Sequence, residues 1–74
     1  MRSLRDWRIE KLLSGRELAR AAGVTHKTLI DLELGRRTPT FATMRRISEV
    51  LGVAATDIAE FAASVERRRK RETS

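Results

Sequence analysis

Apolar residues recur every three or four positions in five successive runs of this 74-residue chain. This spacing predicts five amphipathic helices, each with one buried stripe. The residues predicted to point inward are Leu4, Trp7 and the region from Ile9 to Leu12, then Leu18, Ala19 and Ala22, then Leu29 and Leu32, then Phe41, Met44, Ile47, Val50 and Leu51, and finally Ile58. Phe61 and Val65 continue the fifth stripe, and we expect both to be half exposed. The pattern predicts an all-α fold, a compact five-helix bundle.

Small polar residues and glycines predict where these helices begin and end. Hydroxyl side chains favour the N-cap position, and Ser14 with Glu17 also matches a capping box. Glycine favours the position that follows a helix. The predicted N-caps are Ser3, Ser14, Thr25, Thr40 and Thr56, and the predicted terminators are Gly23, Gly35 and Gly52.

The second and third helices are joined by a very short connection that contains Gly23. Two short helices with a short glycine-containing turn are typical of a helix-turn-helix motif. The third helix has its apolar stripe on one side and polar residues at the front of the other side, namely His26, Lys27, Thr28 and Asp31. Such a helix suits the DNA major groove, where base edges offer hydrogen-bond donors and acceptors.

The charge of the chain favours a polyanionic partner. The net charge is +6, and residues 66–74, with five basic and two acidic side chains, carry +3 of it. We expect residues 1–65 to form the domain and residues 66–74 a mobile basic tail, which is either simply solvated or adds non-specific DNA affinity. Without cysteine, a signal run or a membrane-length apolar segment, the expected location is the cytoplasm, with no membrane partner.

The sequence offers no chemistry for an enzyme. It contains one histidine, too few for a metal site, and no paired acids that would serve as general acid and base. Ser14 has no histidine or acid arranged around it as a nucleophile requires. We therefore expect no catalytic residue, no metal and no cofactor.

Several spaced elements together resemble a known family. They are Leu13-Ser14, Glu17-Leu18-Ala19, Gly23-Val24-Thr25, Leu29, Leu32-Glu33, Gly35-Arg36-Arg37, Pro39 and Leu51-Gly52-Val53. This order and spacing is similar to the Cro and phage-repressor type of helix-turn-helix protein, the xenobiotic-response-element family of transcription regulators. The resemblance covers about residues 4–58 and implies a lambda-repressor-like DNA-binding domain with the helix-turn-helix at helices 2 and 3.

The resemblance also implies roles for individual residues. Proteins of this type place helix 3 in the major groove, which makes His26, Lys27, Thr28 and Asp31 the base-facing set. His26 is equally compatible with an exposed, solvated residue. The residues expected to contact phosphates are Ser14, Gly15, Arg16, Thr25, Arg36, Arg37 and Thr40. An arginine of helix 1 and a glutamate late in helix 3, here Arg8 and Glu33, are expected to form a structural pair.

Some residues depart from the family pattern. Gly15 stands where many members have glutamine, so that only backbone N–H groups remain there for phosphate binding. Ile30 and Leu34 stand where many members have polar residues. They put apolar surface on helix 3 and at its end. Asp31 places on the DNA side a carboxylate that accepts a hydrogen bond from cytosine or repels phosphate.

Two functional hypotheses follow. The first is a sequence-specific regulator of transcription that binds double-stranded DNA, a repressor acting as a homodimer on a palindromic operator, with Phe61 and Val65 available to the second copy. The alternative is a protein-interaction module, such as the antitoxin or adaptor subunit of a complex. In that case Ile30, Leu34, Phe61 and Val65 contact the protein partner.

Overall fold

The computed structural model describes residues 1–73, with side chains up to residue 72. The α-helices in this part of the chain are α1 (Leu4–Glu10), α2 (Gly15–Ala22), α3 (His26–Glu33), α4 (Phe41–Leu51) and α5 (Ala59–Thr73). A 3-10 turn, Ala55–Asp57, lies between α4 and α5. The predicted all-α architecture with five helices is confirmed.

Four of the five predicted N-caps are present. The side chains of Ser3, Ser14, Thr25 and Thr40 each accept a hydrogen bond from the backbone N–H three residues further on. The prediction for Thr56 is wrong, because this residue lies inside the 3-10 turn and α5 begins only at Ala59.

The core draws one or more large side chains from every helix. Leu4, Leu18, Leu29, Ile47 and Phe61 are fully buried, and they come from α1, α2, α3, α4 and α5 respectively. Burying a side chain of this size contributes about 1.5–3 kcal/mol relative to leaving it exposed. The position of each helix is therefore fixed by contacts with the others.

Phe61 does not form the half-exposed surface predicted for it. Its exposed fraction is 0%, because hydrogen bonds hold the start of α5 against α1 and turn this ring into the core. The Leu4 N–H donates to Glu60 Oε1 (2.8 Å), and the Trp7 indole N–H donates to the Asp57 carbonyl (2.9 Å). Val65 is partly buried and packs against the core.

Helix α5 continues through the basic segment to Thr73, well past the predicted end near Val65. Arg68 holds this second half of the helix, since its Nη2 donates to the Pro39 carbonyl (2.9 Å). Its guanidinium also lies 4.4 Å from the centre of the Phe41 ring. The mobility expected of residues 66–74 stays a prediction, and Ser74 lies outside the described residues.

The end of α1 also differs from the prediction. Ile9 and Leu12 were expected to point inward, but Ile9 is half exposed and Leu12 is 88% exposed. The helix ends at Glu10, and Leu12 has a φ of 59°, a left-handed conformation that favours glycine. The Leu13 N–H then bonds the Arg8 carbonyl (3.1 Å), which closes the helix end.

We expect the Leu12→Gly variant to be more stable than the wild type by about 0.5–1 kcal/mol, because a left-handed conformation strains any residue with a β-carbon. Little burial is lost, since the leucine side chain is exposed. Urea denaturation measures the change in the free energy of unfolding. The matched control is Leu12→Ala, which retains the β-carbon and the strain, and equal stabilities of the two variants would contradict the prediction.

Candidate nucleic-acid interface

Helices α2 and α3 form a compact pair around small and apolar side chains. Ala19 and Ala22 of α2 and Leu29 and Leu32 of α3 are all buried. Gly23 makes the turn possible, with a φ of 72° that a β-carbon would strain. The Thr25 hydroxyl then accepts from the Thr28 N–H (3.0 Å) and starts α3.

The N-terminal half of α3 presents its polar side chains on the outer side, away from this buried stripe. His26 and Lys27 are exposed, whereas Thr28 and Asp31 are partly buried. Lys27 Nζ lies 3.0 Å from Asp31 Oδ2, and this hydrogen bond keeps the pKa of the Asp31 carboxyl below its ordinary value despite partial burial. Asp31 is therefore ionised at neutral pH and pairs with Lys27, the one lysine or arginine of α3.

Thr28 connects α3 to the basic loop that follows it. Its Oγ1 accepts a hydrogen bond from Arg37 Nη1 (2.7 Å) and lies 2.8 Å from the donating Thr25 hydroxyl. The structure thus brings one residue predicted to face bases into contact with two residues predicted to face phosphates. Arg36 precedes Arg37 in the same loop, and its side chain is exposed.

The N-terminus of α2 lies beside the front of α3. Ser14 and Glu17 form the predicted capping box, and the Ser14 N–H lowers the pKa of the Glu17 carboxyl below its ordinary value. Gly15 and Arg16 are the first two residues of the helix, whose backbone N–H groups have no acceptor within it. The side chain of Arg16 is exposed.

The loop before α4 completes the surface. Thr40 caps α4 through the Thr43 N–H (3.2 Å), and its exposed side chain lies next to the buried ring of Pro39. The phosphate-facing residues predicted from the sequence therefore lie at three places: the tip of α2, the N-cap of α3 at Thr25, and the loop over residues 36–40. The base-facing residues lie on α3, between the tip of α2 and this loop.

The predicted structural pair is present and almost entirely enclosed. Arg8 makes two hydrogen bonds to the Glu33 carboxylate, Nε to Oε2 at 2.6 Å and Nη2 to Oε1 at 3.2 Å. Its third contact runs from Nη1 to the Leu13 carbonyl (3.0 Å). The side chains are only 13% and 5% exposed, so this pair fixes the end of α3 to α1 from inside the protein.

The four residues named for a protein partner do not form one exposed apolar face. Leu34 is exposed, Ile30 and Val65 are partly buried, and Phe61 belongs to the core. Sequence reasoning missed Arg68, which joins α5 to the loop before α4. Its spacing from Phe61 and Val65 is the signal that places it on the buried side of α5, where the aliphatic part of an arginine packs well.

Residues 1–73 were also compared with the requirements of a metal centre and of a membrane-spanning helix. No group of three or more histidine, acidic or cysteine side chains in this part of the chain is arranged to hold a metal ion. None of the described helices has the length and apolar character needed to cross a membrane.

Comparison with known proteins agrees with this geometry. A family model described as helix-turn-helix matches residues 4–58. An uncharacterized HTH-type transcriptional regulator of Methanothermobacter thermautotrophicus is 45% identical over 53 residues, which cover 70% of this chain and 77% of that protein. The crystal structure of the clp gene regulator ClgR from Corynebacterium glutamicum superimposes with a TM-score of 0.72 at 31% identity, over 95% of this chain and 76% of that one.

Proposed function

Because this chain belongs to the helix-turn-helix family of DNA-binding transcription regulators, of the Cro and phage-repressor type, we propose that it is a repressor that binds a palindromic operator as a homodimer. Repression would follow from occupying a promoter. The observation that supports this most is the position of the polar side chains at the front of α3, between the N-terminus of α2 and the basic loop over residues 36–40.

Each part of this surface has a role in the proposal. Helix α3 enters the major groove, where Lys27 donates to guanine and Asp31 accepts from the amino group of cytosine. The backbone N–H groups at the start of α2 bind one phosphate, and Arg36 and Arg37 bind another on the far side of α3. Thr28 contacts a base while its bond to Arg37 keeps that loop in place.

The homodimer is proposed from the size of the recognition surface. One eight-residue helix covers few base pairs, and a palindromic site read by two copies about one helical turn apart doubles the number of contacts. Burial of Phe61 leaves Val65 as the only one of the two predicted contact residues that keeps exposed surface.

Selection of bound sequences from a random DNA library tests the function. We expect enrichment of a motif with two inverted half-sites whose centres lie about one helical turn, roughly 10 base pairs, apart. Enrichment of a single half-site would contradict the homodimer, and no enrichment above random DNA would contradict sequence-specific regulation.

Arg36→Ala is expected to weaken binding to selected and random duplexes by the same factor and to lower the salt slope by about 1, since it removes one phosphate contact. Fluorescence anisotropy titrations at several salt concentrations measure both. The control is Arg46→Ala, which removes the same charge from the cleft between α2 and α4. Equal salt slopes for Arg36→Ala and Arg46→Ala would contradict a phosphate contact at Arg36.

A further inference from the structure

The first residue of α2, Gly15, faces the first residue of α3, His26. A β-carbon at Gly15 would lie 3.1 Å from Nε2 and 3.3 Å from Cδ2 of the His26 ring, and 3.7 Å from Ile30 Cδ1. Unstrained carbon contacts lie at about 3.5–4.0 Å. The imidazole therefore occupies the space that a side chain at position 15 would need.

Gly15 is not required by its own backbone conformation. The glycines with positive φ are Gly23, Gly35 and Gly52, whereas Gly15 has ordinary helical geometry that alanine also adopts. Glycine within a helix is less favourable than alanine by about 0.5–1 kcal/mol, with less effect at the first position. The contact with His26, and not the backbone conformation, is therefore what an alanine at this position would change.

The backbones on both sides of the contact are held firmly. The capping box fixes the residues around Gly15, and the Thr25 cap fixes the start of α3. The His26 side chain, in contrast, is exposed to solvent, so the ring has room to turn outward if a β-carbon displaces it. A β-carbon at position 15 would therefore move the ring and leave both helices in place.

We propose that Gly15 is a positioning residue that holds the His26 imidazole over the first turn of α2, where the ring donates a hydrogen bond to the DNA phosphate bound by that helix end. This inference rests on the proposed function. It assigns His26 to a phosphate of the DNA backbone instead of the base that the sequence analysis expected. The imidazole supplies the side-chain donor that glycine lacks.

The contact itself is tested without DNA. In the wild type, a nuclear Overhauser effect between the Gly15 α-protons and His26 Hδ2 is expected, and in Gly15→Ala the His26 ring resonances should shift. Thermal unfolding of Gly15→Ala should occur at the wild-type temperature or above, since alanine favours helix. Unchanged ring resonances, or a lower unfolding temperature, would overturn the positioning role.

A double-mutant cycle on DNA tests the phosphate contact. Gly15→Ala and His26→Ala should each weaken binding about fivefold, the effect of losing one hydrogen bond, and the double variant should be no weaker than either. The factor should be the same for a random duplex and for a selected operator, because a phosphate carries no sequence.

Each alternative result of the cycle has a definite meaning. Additive losses would show that Gly15 and His26 act separately and would overturn the proposal. A larger loss on the operator than on the random duplex would make His26 a base contact and also overturn it. If Gly15→Ala and His26→Ala leave binding unchanged, this inference fails. If Arg36→Ala and Lys27→Ala also leave it unchanged, the proposed function fails too.

Discussion

Arg8→Ala is expected to lower the free energy of unfolding by about 3–5 kcal/mol, because it leaves a buried carboxylate without its partner. The Glu33 side chain is 5% exposed and accepts two hydrogen bonds from Arg8, so its carboxylate loses both bonds at a site that water reaches poorly. The Leu13 carbonyl loses a donor at the same time. Chemical denaturation followed by circular dichroism measures the change.

Arg5→Ala is the matched control for this prediction. Arg5 lies on the same helix but is exposed, so its loss should change stability by less than about 0.5 kcal/mol. A variant with both Arg8→Met and Glu33→Leu should recover much of the loss, since no charge then stays buried alone. Equal effects of Arg8→Ala and Arg5→Ala would show that the pair does not hold α3.

The second large effect is expected at Phe61. Phe61→Ala should destabilise the protein by about 3–5 kcal/mol, because a fully buried ring is replaced by a cavity that the surrounding helices fill only in part. The loss of stability caused by Phe61→Ala should be the same at every protein concentration, since the ring packs within one copy of the chain. Denaturation at several protein concentrations measures both properties.

Phe41→Ala provides the comparison for Phe61→Ala, because Phe41 is the same residue type but half exposed at the start of α4. Its loss should be much smaller and should come mainly from the contact with Arg68. If Phe61→Ala instead left stability unchanged but altered the oligomeric state, Phe61 would be a subunit contact as the sequence predicted.

The helix ends were predictable because local chemistry fixes them. Ser14 with Glu17 and Thr25 each satisfy a backbone N–H three residues away, and no distant part of the chain is needed for that bond. The Arg8 and Glu33 pair is different in kind, since 25 residues separate them. It was found through the resemblance to a family and not through periodicity.

The errors arise where tertiary contacts decide the outcome. Thr56 has the right chemistry for a cap, but Ile58 bridges Arg2 and delays the start of α5 to Ala59. The length of α5 was underestimated because Glu66 to Arg71 lacks apolar residues, while Arg68 packs on Phe41 and bonds Pro39. The bridge between Arg2 and Ile58 leaves no periodic pattern in the sequence. The position of Arg68 does follow from its helical spacing after Phe61 and Val65, but an arginine is not counted as apolar.

The candidate site was predicted as a set of residues, but its internal bonds were not. Lys27 bonds Asp31, Arg37 bonds Thr28, and His26 lies on Gly15, so much of the recognition surface is already ordered by contacts within the chain. In the proposed complex, Lys27 donates to a base with an N–H that its bond to Asp31 does not use. Because the bond from Arg37 to Thr28 already orders the loop after α3, less conformational entropy is lost when DNA binds, which increases the affinity.

The most direct test of DNA reading by α3 is the ratio of affinities for a selected operator and a random duplex, measured for the wild type, Lys27→Ala and Arg36→Ala. Lys27→Ala should lower this ratio about tenfold, within the range for loss of one base contact, while Arg36→Ala leaves it unchanged. An unchanged ratio for Lys27→Ala, with equal losses on both duplexes, would contradict base reading by this helix.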